Sequence, residues 1–244
     1  MRALLRDSAL VAISIYIMLP FFGCSSTTDC SGDCEPDIIT ERQYEEAELI
    51  ALFLSGEITA PETLTVHILN DLRAIRYRYG NRHVPILTVP FVPPAPPSCF
   101  YITFDDTTTQ KIEGGTYHAW DSLNATYGLN EVRPVFGGDF NLYFDGRLNP
   151  WRLIEFYETL PGFVTAHVCP RIGDSPNIYP HRTLDCFYYL FRDAWGDCLS
   201  GCIFSEFWFY KVEEYVPSFI GHWDPQEDPE EPEWWPEWYP DWWL

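Results

Sequence analysis

Three short stretches decide the fold: Phe100-Tyr101-Ile102-Thr103-Phe104, Phe140-Asn141-Leu142-Tyr143-Phe144 and Val164-Thr165-Ala166-His167-Val168. In each, apolar residues alternate with polar or amphipathic ones. That is the period of a strand with one face buried and the other wet. Val132 to Phe136 reads as a further strand, and Gly137-Gly138 supplies the tight turn into Phe140. A helix is predicted from about Tyr117 to Tyr127, ended by Gly128. A second, capped at Asn149-Pro150, carries Leu153, Ile154, Phe156, Tyr157 and Leu160 to a stop at Pro161-Gly162. The element order over residues 99–170 is therefore βαββαβ, in two similar halves.

Two such halves are the signature of a ferredoxin-like split βαβ sandwich, and the fold class is α+β. The run of strand, helix, Tyr-Gly or Pro-Gly stop and returning strand also resembles the propeptide-like modules of subtilisin-family proteases. That resemblance is one of architecture alone. In the ferredoxin-like arrangement the first and fourth strands are antiparallel neighbours, which places Cys99 beside Cys169 and predicts a disulfide between them. Parity puts Tyr101, Thr103, Asn141, Tyr143, Thr165 and His167 on the face away from the apolar one. This polar and aromatic set is a possible ligand face. The blander expectation is that the N-terminal helices or a hairpin around Cys198 cover it.

Outward from this module, residues 40–83 read as a helical hairpin. Thr40 and Gln43 have capping-box spacing for a first helix ended by Gly56, and Thr59 with Glu62 repeats that spacing for a second. Leu64, Ile68, Leu72, Ile75 and Tyr79 keep a helical period up to Gly80. The prolines of residues 84–98 predict an extended linker. Residues 171–223 read as a linker to Arg182 followed by an aromatic β-hairpin, Cys186 to Phe191 and Ile203 to Val212. Cys198 and Cys202 are expected to close its end, with half of a zinc site shared by Cys169 and Cys186 as the alternative. The Gly196-Asp197-Cys198-Leu199-Ser200-Gly201-Cys202 stretch resembles a motif of exported bacterial proteins and implies no activity.

At the N-terminus, Arg2 and Arg6 precede an apolar run from Ala9 to Phe22, too short for a spanning helix. Residues 1–23 read as a signal peptide. Gly23-Cys24 then resembles the processing site of bacterial lipoproteins, although Phe21 and Phe22 stand where that family has Leu and a small residue. The resemblance implies a lipid on Cys24, a membrane partner through it, and, with Ser25 in place of Asp, the outer membrane. Residues 24–39 are a polar tether in which Cys30 and Cys34 are expected to pair. Of the 8 cysteines, Cys186 is left as the odd thiol.

The formal charge of −21 excludes nucleic acid and anionic surfaces as partners. Residues 224–244 hold eight acids, five prolines and five tryptophans, and predict a disordered tail. Trp234, Trp235, Trp238, Trp242 and Trp243 make it a possible protein-binding segment. No catalytic motif is present: no Gly-x-Ser-x-Gly, no His-Glu-x-x-His, no phosphate loop. Neither a cofactor nor a metal centre is expected, and no residue is assigned a catalytic role. The sequence supports a non-catalytic binding or structural protein of the cell envelope. A propeptide-like protease inhibitor or folding assistant, or a hydrolase built on scattered carboxylates or His167, are the other readings.

Overall fold

The computed structural model describes residues 39–80, 85–88, 90, 98–169, 175–198 and 201–239. The signal peptide, most of the tether with Cys24, Cys30 and Cys34, most of the 84–98 linker, and Trp242 and Trp243 lie outside the described residues. Among the described residues no helix is long and apolar enough to cross a membrane.

Two helices lead. In α1 (Glu41–Ser55) the capping box is complete, Thr40 accepting from Gln43 N while the Gln43 side chain accepts from Thr40 N, and Gly56 ends the helix at φ 64°. In α2 (Glu62–Tyr79) the N-cap is Pro61, without a side-chain bond, so Thr59 is not the cap that its spacing suggested. Glu46 of α1 and Arg76 of α2 form a buried bidentate pair, and Arg76 Nη2 also donates to Ile86 O at 3.2 Å. That carbonyl belongs to α3 (Pro85–Thr88), one turn within the stretch read as extended. Pro85 fits because the first turn of a helix needs no proline N–H, and Ile86 and Leu87 are buried.

The next sheet comprises β1 (Cys99–Phe104), β2 (Leu129–Pro134), β3 (Asp139–Phe144) and β4 (Phe163–Val168), in the order β2-β3-β1-β4 and antiparallel throughout. This is the order of a ferredoxin-like sandwich. Phe100, Ile102, Phe104, Phe140, Leu142 and Phe144 form its apolar face, covered by Tyr117, Trp120 and α6 (Pro150–Tyr157). The first connection holds two helices, α4 (Asp106–Glu113) and α5 (Asp121–Tyr127), instead of one from Tyr117. Asp105 starts α4 by accepting from Thr108 N at 2.7 Å, a capping bond that the three threonines following it obscure in sequence. The pairing of β1 with β4 slips between Thr103 and Phe104, so Phe163 of β4 faces Phe104 and Val164 is the extra residue, 58% exposed.

The C-terminal half differs most from its sequence expectation. It is a four-stranded sheet and not a hairpin: β5 (Asn177–Arg182), β6 (Phe187–Trp195), β7 (Phe204–Glu213) and β8 (Val216–Trp223), in sequential order. Pro180 lies in β5 and Pro217 in β8, and both are edge strands, where a missing N–H costs no ladder bond on the open side. Pro134 occupies the edge strand β2 in the same way. One face, with Phe187, Tyr189, Phe191, Trp208, Tyr210 and Val212, packs on α1, α2 and α3. The other, with Tyr179, Leu190, Phe207 and Phe209, is covered by Trp234, Trp235, Trp238 and Tyr239.

Residues 224–239 thus form a strap over β5–β8, not a disordered tail. Trp235 N donates to Pro232 O at 2.8 Å and Tyr239 N to Pro236 O at 2.9 Å. Each Pro-Glu-aromatic-aromatic unit is one turn that sends its aromatic pair onto the sheet and its exposed Glu233 or Glu237 to solvent. Trp238 stacks on His181 with ring centroids 4.9 Å apart, and Trp235 meets the edge of Phe207 at the same separation. Prolines and acids prevent a regular element here, but they do not prevent aromatic burial on a ready-made sheet.

Candidate functional site

The helices expected to cover the polar face of the first sheet lie instead on the second: α1 packs on β5, α2 on β8 and α3 on β6. The Cys198 hairpin is likewise part of that second sheet, joining β6 to β7. On the polar face, one row of residues crosses all four strands. His167 of β4 lies opposite Tyr101 of β1, Tyr101 opposite Asn141 of β3, and Asn141 opposite Arg133 of β2. Flanking it are the row of Thr165, Thr103 and Asp139 and the row of Cys99, Tyr143 and Glu131. His167 is exposed, and Tyr101, Thr103, Asn141, Tyr143 and Thr165 are half-buried.

One ion pair lies within this face. Arg133 donates from Nε and Nη2 to the two carboxylate oxygens of Glu131 at 2.7 and 2.9 Å, and its guanidinium lies 4.7 Å from the Tyr143 ring centroid. The Arg133 bonds hold the Glu131 carboxyl below its usual range, and the Glu131 bond raises the Arg133 guanidinium. Thr103 Oγ1 donates to Asp139 Oδ1 at 2.6 Å, and Thr165 Oγ1 lies 3.3 Å from His167 Nε2. In the middle, Asn141 Oδ1 is buried and accepts no hydrogen bond. An unmade bond at a buried amide oxygen costs on the order of 1–3 kcal/mol.

Parity in the sequence identified the strand-centre residues of this face. Glu131 precedes Val132, where the strand is expected to begin, Asp139 is one acid among many, and Arg133 lies within the expected strand without being singled out. The alternating charges Glu131 and Arg133, two apart around Val132, are the signal that places them on one face.

One disulfide lies at an end of the site, and the other described cysteines belong to the second sheet. Cys99 and Cys169 are joined at the common end of β1 and β4, with Cα atoms 5.7 Å apart. Cys198 and Cys202 are joined with Cα atoms 4.0 Å apart, and Cys186 is a buried free thiol with its sulfur 3.1 Å from Thr183 Oγ1. The zinc alternative for these cysteines therefore falls. Among the described residues no group of three or more His, Cys, Asp or Glu side chains is placed to hold a metal ion.

A second polar group lies elsewhere, between α2 and β6. Asp71 is wholly buried; its Oδ2 accepts from Tyr189 Oη at 2.7 Å and lies 3.4 Å from His67 Nε2, while Oδ1 has no partner. Burial pushes the Asp71 carboxyl up to about 7 against the opposing effect of the Tyr189 bond. Burial, with Arg182 nearby, lowers His67, whose ring lies between Phe187 and Tyr215 at centroid distances of 4.4 and 4.8 Å. The i, i+4 spacing of His67 and Asp71 was the available sequence signal for this contact.

No family model, curated protein or solved structure matches the chain. What the polar face can do therefore rests on its own chemistry. It offers the half-buried ring of Tyr101 and hydrogen-bonding side chains, while Asn141 Oδ1 is closed to solvent.

Proposed function

We propose that this chain is a non-catalytic binding protein of the bacterial cell envelope, exported and held at the outer membrane by a lipid on Cys24. The anchor is supported by Gly23-Cys24 at the end of a short apolar run behind Arg2 and Arg6. The binding role is carried by one observation: among the described residues no helix and no strand of the second sheet packs on the polar face of β1–β4, whereas the opposite face of that sheet and both faces of the second are closed by apolar packing. The tail reading is less favoured, because Trp234, Trp235 and Trp238 already pack within the chain. The protease-inhibitor reading has only topology behind it, and topology does not carry activity.

Two arms test the proposal. Labelled palmitate is expected to enter the wild type and be lost in Cys24→Ala; equal labelling would remove the anchor. A Tyr101→Ala/Asn141→Ala variant with unchanged melting temperature is expected to lose a component that the wild type retains from envelope extract. Identical retention by both would remove the binding role from this face.

A further inference from the structure

We infer that the β7–β8 turn is a pH-sensitive latch, in which the Tyr215 ring closes over His67 while the buried Asp71 holds a proton and lifts away when that proton leaves. The latch lies on the seam between α2 and the second sheet, apart from the polar face of β1–β4.

The turn is Glu214-Tyr215, two residues between the end of β7 and the start of β8, and both have positive φ, 47° and 64°. A two-residue turn of that shape follows the twist of its strands, but Asn and Gly usually make it, because a Cβ crowds the left-handed backbone. Neither Glu nor Tyr is a residue that the turn favours. What holds Tyr215 there is its ring, which lies over His67 with centroids 4.8 Å apart, while Phe187 flanks the same imidazole at 4.4 Å. A strained backbone set against a ring stack has two arrangements of similar energy.

Asp71 is what tips the balance. Among the described residues its polar contacts are Tyr189 Oη at 2.7 Å and His67 Nε2 at 3.4 Å, both on Oδ2, and Oδ1 makes none. A carboxylate so enclosed is costly as an anion, and burial lifts it to about 7 against the effect of the Tyr189 bond. Asp71 and Tyr189 are wholly buried, whereas the His67 side chain is 31% exposed, so the way from this carboxyl to water runs past His67. Tyr215 stands on that way. With Asp71 protonated, the closed stack encloses no charge. With Asp71 ionised, lifting Tyr215 lets water reach the imidazole and, beside it, the anion. The closed state therefore binds the proton more tightly than the open one, and a rise of pH through about 7 favours opening.

The surrounding charges leave this trigger to Asp71. Burial, and then Arg182 of β5, whose guanidinium lies 5.3 Å from the Phe187 ring centroid, disfavour charge on His67, so the imidazole does not supply a cation for the carboxylate. On the other elements packed against α2, Glu46 of α1 is held by Arg76, Lys211 of β7 by Glu213, and His222 of β8 lies on Glu206. Glu214 in the turn itself is exposed, and α3 carries no charged residue.

The test follows the Tyr215 ring protons and the Asp71 carboxyl carbon by NMR in the isotope-labelled mature chain, from about pH 5 to about pH 8.5, with the methyls of Ile68 and Leu72 reporting on the core. Tyr215 is expected to lose its ring-current shift as pH rises, with the midpoint that the Asp71 carbon shows, while the core methyls stay in place. In Asp71→Asn, which keeps an acceptor for Tyr189 and cannot ionise, the Tyr215 signals are expected to remain at their low-pH positions throughout. A Tyr215 ring that stays stacked while Asp71 titrates overturns the latch, and so does release at the same pH in Asp71→Asn. An Asp71 carboxyl that does not titrate in this range removes the trigger and overturns it too. Core methyls that move together with Tyr215 would make the opening a general loosening of the fold, which also overturns it.

Discussion

Trp234 lies on Gly221 so closely that a Cβ at that glycine would stand 2.3 Å from the indole Nε1. The absence of a side chain in β8 is thus what lets the strap seat its first indole beside Phe209, with ring centroids 5.7 Å apart. Gly221→Ala must lift Trp234 or shift β8. It is expected to destabilise the chain by about 1–3 kcal/mol and to expose a tryptophan to aqueous quenchers. Unchanged stability and quenching would show that the contact is not made in solution.

Truncation at Trp223 removes the cover from Tyr179, Leu190, Phe207 and Phe209. The shortened chain is expected to melt many degrees lower and to bind a hydrophobic dye that the full chain does not. A melting temperature within a few degrees of the full chain would restore the sequence expectation of a dispensable tail.

Asp71 makes stability depend on pH in an unusual direction. Its carboxyl titrates near 7 in the folded chain against an ordinary 3.8. The folded state therefore holds a proton that the unfolded state has released between those values. The Asp71 contribution is most favourable below about pH 4, declines as pH rises towards 7, and is level above. Asp71→Asn keeps an acceptor for Tyr189 without the buried charge. It is expected to be more stable than the wild type by about 1–3 kcal/mol at pH 8, with the difference vanishing near pH 4. A difference independent of pH would mean that Asp71 does not titrate there.

The Cys99–Cys169 bond closes a separation of 70 residues. In the chain-entropy picture its loss costs about 4 kcal/mol. Cys99→Ser/Cys169→Ser is expected to fold with a large drop in denaturation midpoint, and non-reducing peptide mapping should return Cys99 with Cys169 and Cys198 with Cys202. A Cys169–Cys186 pair would contradict the β1–β4 neighbourhood.

How much of this was legible in sequence follows from how many faces each sheet buries. The β1–β4 sheet buries one, so Phe100, Ile102 and Phe104 alternate with Tyr101 and Thr103, and both the strands and the polar face can be read. The β5–β8 sheet buries two, so Phe187 to Phe191 are apolar or aromatic at every position and the period disappears. Pro180 and Pro217 then look like breaks, since nothing local says that a strand will be at an edge. The strap was illegible for a related reason. Its composition predicts what Asp224 to Tyr239 cannot form alone, while the aromatic face that orders it comes from distant residues such as Tyr179. Asp71 was passed over as one acid among many because its isolation depends on packing against β6.

The three strand prolines have a bearing on the chain's life among its own copies. Of the four open edges, β2, β5 and β8 each carry one, and the fourth, β4, is bent by the bulge at Val164. An edge so interrupted cannot template a neighbouring strand over any length. Copies of the chain brought close together can therefore slide past one another without zipping into fibrils.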